Sequence, residues 1–129
     1  MTPSRTGDAA TATARLAKAR QFSDVAALLF DEGTGTVTRA DAYVTQAVHA
    51  GIAAADVICI RRLGEYSATG AHQESVALLK RADPECATHL SRLLNLKTKA
   101  GYSASPVSAT DVAAARRSHL ALLTAAEAA

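Results

Sequence analysis

The sequence predicts an all-α protein, an up-and-down bundle of four to five helices. Three observations lead there. The stretch Ala47 to Ile60, AVHAGIAAADVICI, is apolar except for His49 and Asp56. A helix apolar nearly all round is buried nearly all round, so this stretch reads as the spine of a bundle. Second, apolar residues elsewhere recur at three-or-four spacing in segments separated by short turn-rich links, with no alternating run. Third, the chain is 49% hydrophobic yet only 4% aromatic and lacks Trp. A core of small and aliphatic side chains suits helices that approach closely, and it leaves little for an aromatic-rich sheet or a base-stacking platform.

The elements follow in order. Residues 1 to 12 are small, polar and Gly/Pro-containing, and are expected to be a flexible tail; residues 13–129 then form a single domain, which a chain of 129 residues can sustain. A first helix is expected from Thr13 to Glu32, with Leu16, Ala19, Ser23, Ala26 and Phe30 on one face, stopped by GTGT at 33–36. Thr38 opens the second, with Asp41 completing a capping-box-like pair. This helix runs to about Leu63, with Arg61 and Arg62 suiting its C-terminal dipole and Gly64 ending it. The link EYSATGA leads to a third helix, His72 to Ala82. Asp83-Pro84 reads as a cap followed by proline at the first helical position of a fourth, which runs to about Lys99 along the line Cys86, Leu90, Leu93/Leu94. After a loop at 101–107, Ser108 and Asp111 repeat the capping-box spacing before a fifth helix, Ala109 to Ala126, with Val112, Ala115, His119 and Leu122 in line.

Composition narrows the function classes. A net charge of +2 is far from the footprint of a dedicated DNA binder. The N-terminus has no apolar core like that of a signal peptide, and the spine is interrupted by His49, Gly51 and Asp56 where a membrane span needs about 20 apolar residues. The expectation is a cytoplasmic protein with no membrane association. Cys59 and Cys86 fall on different helices as small buried hydrophobes. No CxxC, HExxH, P-loop, GxGxxG or GxSxG pattern occurs, and His49, His72, His89 and His119 fall at no metal-ligand spacing, so neither metal nor cofactor is expected. The basic pairs Arg61-Arg62, Lys80-Arg81 and Arg116-Arg117 read as solvated helix ends and faces; a composite nucleic-acid patch is the minor alternative.

The polar exceptions on inner faces are the candidate site. His49 and Asp56 project within about 20° of each other around their helix but about 10 Å apart along it. They do not touch, and each needs a partner. Lys97, at the inner edge of the fourth helix, is the simplest partner for Asp56 through a salt link. Tyr102 and His72 lie where they can reach the same region. His49, Asp56, His72, Lys97 and Tyr102 therefore make one candidate polar pocket. It would bind a phosphate-bearing ligand or RNA, or merely hold the bundle together, with Asp56 paired and His49 a satisfied core histidine.

The segment LSRLLNLKTKAGYS (90–103), followed by a Pro/Ser loop and the helix SATDVAAARRSHLALL, resembles the C-terminal half of HEPN domains, with Lys97, Ala100 and Tyr102 at the places of a basic residue, Ala and Tyr. The stretch HAGIAAAD and His72 are similar to the second helix, and to the residue before the next helix, of small bacterial members. The resemblance implies a four- or five-helix bundle, a homodimer, and a setting in toxin–antitoxin or defence systems, where many HEPN domains are metal-independent ribonucleases. Their active motif is Arg, four to six residues, then His. No such pair follows Arg81, Arg92, Arg116 or Arg117. Lys97 and Tyr102 have similar spacing, but Lys cannot fork onto a phosphate as Arg does, and Tyr is a poor base near neutrality. The resemblance then implies the non-catalytic branch, with a regulatory or binding role toward a nucleotide, RNA or a protein partner. A degenerate ribonuclease toxin and a plain interaction bundle with an Ala-rich dimer face are the alternatives.

Overall fold

The computed structural model describes residues 4–68 and 71–129. Five helices carry the fold: α1 Ala9–Leu29, α2 Ala40–Leu63, α3 His72–Ala82, α4 Pro84–Gly101 and α5 Ala109–Ala128. The protein is an all-α bundle. Two short antiparallel ribbons accompany it. Strand β1 (Ser4–Thr6) pairs with β4 (Glu65–Ser67), and β2 (Phe30–Asp31) pairs with β3 (Thr36–Val37). Strands this short present too few alternations to register in a sequence.

The region expected to be a tail carries β1 and the start of α1; Met1, Thr2 and Pro3 lie outside the described residues, as do Thr69 and Gly70 of the expected link. Asp8 caps α1, its carboxylate accepting from the Thr11 backbone N–H and hydroxyl, both at 2.8 Å. The N–H of Gly7 donates to the carbonyl of Gly64 at 3.0 Å. A Cβ on Gly7 would come within 2.7 Å of Ile60, so the bare backbone is what lets this segment lie on the end of α2. The small polar composition that reads as looseness makes an edge strand and a cap.

The expected capping box on α2 does not form. Thr38 is held back because its N–H donates to the carbonyl of Leu29 across the β2–β3 ribbon. Arg39 takes the cap position without a side-chain bond. Asp41 instead accepts from the Val107 N–H at 2.9 Å and ties the start of α2 to the loop before α5. The other caps follow the sequence. Gly64 ends α2 at φ 74°, the left-handed region. Asp83 accepts from the Cys86 N–H ahead of Pro84, and Ser108 and Asp111 cap α5 reciprocally.

The spine α2 packs against α1, α3, α4 and α5. Val44, Val48, Ala54, Val57 and Ile58 are inaccessible, as are Leu78, Leu79, Leu93 and Leu122 on its neighbours. Each large side chain so buried contributes about 1.5–3 kcal/mol. Leu93 and Leu122 close directly over Gly51, where any side chain would overlap Leu93. By length and apolarity α2 passes for a membrane span, but 72% of its apolar window is buried inside the bundle. It is not buried all round: His49 faces solvent, and Asp56 is partly exposed.

Candidate functional site

The five residues expected to share a pocket divide. His49, Lys97 and Tyr102 do meet, in a cleft of about 170 Å³ with Thr45, Val48 and Gly101. All three are exposed, Tyr102 by 83%. The His49 ring lies 5.2 Å from that of Phe22, so it covers apolar surface instead of occupying a core position. Lys97 sits where α4 leaves the core, and its long stem carries the ammonium into water. His72 is the exposed first residue of α3 and is not part of this cleft.

Asp56 belongs elsewhere, and the expected salt link to Lys97 is absent. Its carboxylate lies 3.7 Å from the Arg15 guanidinium of α1, which in turn sits 5.4 Å from the Tyr66 ring. The surroundings are a void of about 20 Å³ walled by Cys59, Ser67, Ser75 and the leucines 78, 90 and 94. Burial pushes its carboxyl up to about 6, against the opposing pull of Arg15. The same burial pushes the Cys59 and Cys86 thiols up to about 12, which makes both free cysteines poor nucleophiles. Among the described residues no group of His, Cys, Asp and Glu is placed to hold a metal ion.

The basic pairs are largely occupied. Arg61 donates to the carbonyl of Ala126, Arg62 to that of Ala82 and to Asp83, and Arg81 to Glu65. Arg116 and Arg117 differ, because they line a cavity. That groove holds about 620 Å³, a size typical of small-molecule sites. One wall is the β2–β3 ribbon through Phe30 and Val37, and Ala40 of α2 makes the floor. The other wall is one face of α5, where Ala109, Val112/Ala113 and Arg116 recur at helical spacing. The Arg116 guanidinium carbon lies 4.2 Å from the centroid of the Phe30 ring. Its ion pair with Glu32 is long at 3.9 Å, and that carboxylate is 84% exposed, so its charge is little neutralised. Arg117 forms no ion pair among the described residues. The sequence marks the two arginines and the apolar line of α5, but the opposing wall exists only because a ribbon forms where a helix end is expected.

Phe30 and Arg116 also border a smaller pocket of about 100 Å³, shared with Ser23, Tyr43 and His119. His119 is 2% exposed. Its Nδ1 lies 3.1 Å from the carbonyl oxygen of Ala115, one turn earlier in α5. Its Nε2 lies 3.4 Å from the Ser23 hydroxyl on α1, and the Tyr43 ring meets it edge-on at 6.2 Å. A carbonyl can only accept, so the ring proton is on Nδ1 and the Ser23 hydroxyl donates to Nε2. Burial holds the imidazole pKa below its usual value and keeps the ring neutral, and burial likewise keeps the Tyr43 phenol protonated.

Compared with protein-family models, with curated proteins and with solved structures, the chain finds no match.

Proposed function

We propose that the protein is a helical binding module with a regulatory role, HEPN-like in kind and without ribonuclease chemistry. Its ligand is a small anion with an apolar body, held in the groove between the β2–β3 ribbon and α5. The observation that carries this reading is the pairing of Arg116 and Arg117 with a mainly apolar cavity of ligand size, in which Thr36 is the other polar side chain. Pockets of this volume bind through apolar walls, with a few charged groups fixing orientation. Arg116 is held in place by the Phe30 ring and keeps donors for an incoming anion, since its contact with Glu32 is loose. A nucleotide and an acyl carboxylate both have this chemistry, with base or chain as the apolar body.

Calorimetric titration of the full chain with adenosine monophosphate and, separately, with decanoate tests the reading and separates the two sources. Binding of one probe is expected. Arg116→Gln and Arg117→Gln should each weaken it about tenfold, the value of a hydrogen bond to a charged group. Ala113 is exposed on the groove wall, so Ala113→Phe fills the cavity without entering the core and should abolish binding. Neither probe binding, or binding untouched by Ala113→Phe, removes the proposal.

A further inference from the structure

The pocket behind Arg116 has a use beyond the groove. We infer that Ser23 and His119 form a nucleophile–base pair that accepts a small acyl group from an ester. The geometry supplies the parts in sequence. Ser23 donates to His119 Nε2 at 3.4 Å, and the Ala115 carbonyl holds the opposite ring nitrogen as N–H at 3.1 Å. This places the free lone pair of the imidazole on the hydroxyl, which is what a general base for serine needs, with a backbone carbonyl as the orienting group. A hydrogen bond at the long end of its range is ordinary for such a pair before substrate binds.

A buried histidine needs a partner on each ring nitrogen, and the Nδ1 bond to the Ala115 carbonyl leaves Nε2 to be met. Here Nε2 meets a hydroxyl that borders a pocket, and that pocket reaches solvent past the exposed Ala27, Glu32 and Leu120. Arg116, Tyr43 and Glu32 line the same space, so a cation and a phenol border the pocket together with one carboxylate. A volume of about 100 Å³ admits an acetyl-sized group, given that one water takes about 30 Å³.

The step balances without any other reagent. Ser23 Oγ bonds to the ester carbonyl carbon while its proton passes to His119 Nε2. The tetrahedral oxyanion then collapses, the carbon–alkoxide bond breaks, and the leaving alkoxide takes the proton from Nε2. Water repeats the sequence on acyl-Ser23, with His119 again accepting and returning the proton, to release the acid.

The experiment is p-nitrophenyl acetate added to the full chain, followed by an acid quench and peptide mass spectrometry. An acetyl group on Ser23 is expected, with release of p-nitrophenolate that slows as pH falls and His119 protonates. Ser23→Ala should remove the adduct and lower the rate about 100-fold or more, the scale of losing base-assisted attack. The Ser23 adduct is read by mass spectrometry and groove binding by calorimetry, both on the unaltered chain, so failure here and failure of the groove reading are separable. Labelling of the unaltered chain by methanesulfonyl fluoride, whose sulfonyl group is close to acetyl in size, needs no variant, and the sulfonyl group should appear on Ser23. An equal rate in Ser23→Ala, or adducts confined to lysines and the N-terminal amine, overturns the inference.

Discussion

Asp56, largely covered, and His119, fully buried, both lie beside α1, one near its start and one toward its finish, and the bundle accommodates them differently. His119 has a partner for each ring nitrogen and fits as the neutral form. Asp56 has a single long ion pair with an arginine that is itself 36% exposed. A buried polar group costs little when its hydrogen bonds are complete and much when they are not. The same helix interface therefore holds one group that supports the fold and one that burdens it.

The two groups also pull stability in opposite directions with pH. The pKa of His119 is lowered on folding from 6.5. Its contribution is present above 6.5 and is lost as pH falls through the folded value, because the unfolded chain then binds the extra proton. The pKa of Asp56 is raised from 3.8 to about 6. Its contribution is present below 3.8 and is lost as pH rises through about 6.

Four substitutions test that contrast. The largest effect is expected from His119→Ala, which leaves a core void and strips Ser23 of its acceptor. It should cost about 3 kcal/mol or more in urea unfolding at pH 8, with a weaker loss of stability on acidification below 6.5 than in the parent. Asp56→Asn should do the reverse and stabilise the protein at pH 8, on the order of 2–3 kcal/mol, the equivalent of its shift. That gain should fade below pH 4, where the parent carboxyl is protonated in both states; a comparable loss at pH 8 would instead make the Arg15 pair a net support. Arg15→Gln should cost about 0.5–1 kcal/mol at pH 8 and nothing near pH 4. Lys97→Ala should change stability by less than about 0.5 kcal/mol at either pH, as an exposed residue outside the buried pairs. A larger cost there would restore the lysine to the interior.

What the sequence disclosed follows from the range over which each signal acts. Helices and most caps are local. The periods of α3 to α5, the Asp83-Pro84 start and the Ser108/Asp111 box are each written within a few positions, and they stand. Thr38 failed as a cap because its backbone is engaged by Leu29, a partner that no local pattern reveals. The spine was legible as apolar, but which of its polar residues faces water was not. The face-sharing of His49 and Asp56 holds around a helix, whereas exposure depends on which neighbours cover each turn. The candidate site suffered most. Lys97 and Asp56 were paired because both stood near inner faces, and the competing cation, Arg15, lies on a helix whose register against α2 cannot be read from either segment. The groove needed the β2–β3 ribbon, whose strands have two residues each.

That register has a source of its own. Where α1 meets the spine, much of its buried surface is alanine: Ala12, Ala19 and Ala26. Such a surface is smooth, and two smooth helices could slide by one turn, about 5.4 Å, at small cost in packing. The ribbons prevent it. β1–β4 ties the start of α1 to the end of α2, and β2–β3 ties its finish to the start of α2, so the helix is a beam fixed at both ends. Backbone ladders, together with the buried Leu16 and the Phe22–His49 contact, thereby set which residues of α1 stand opposite which of their neighbours. Arg15 reaches Asp56, and Ser23 reaches His119, because ten short-strand residues hold the beam in place.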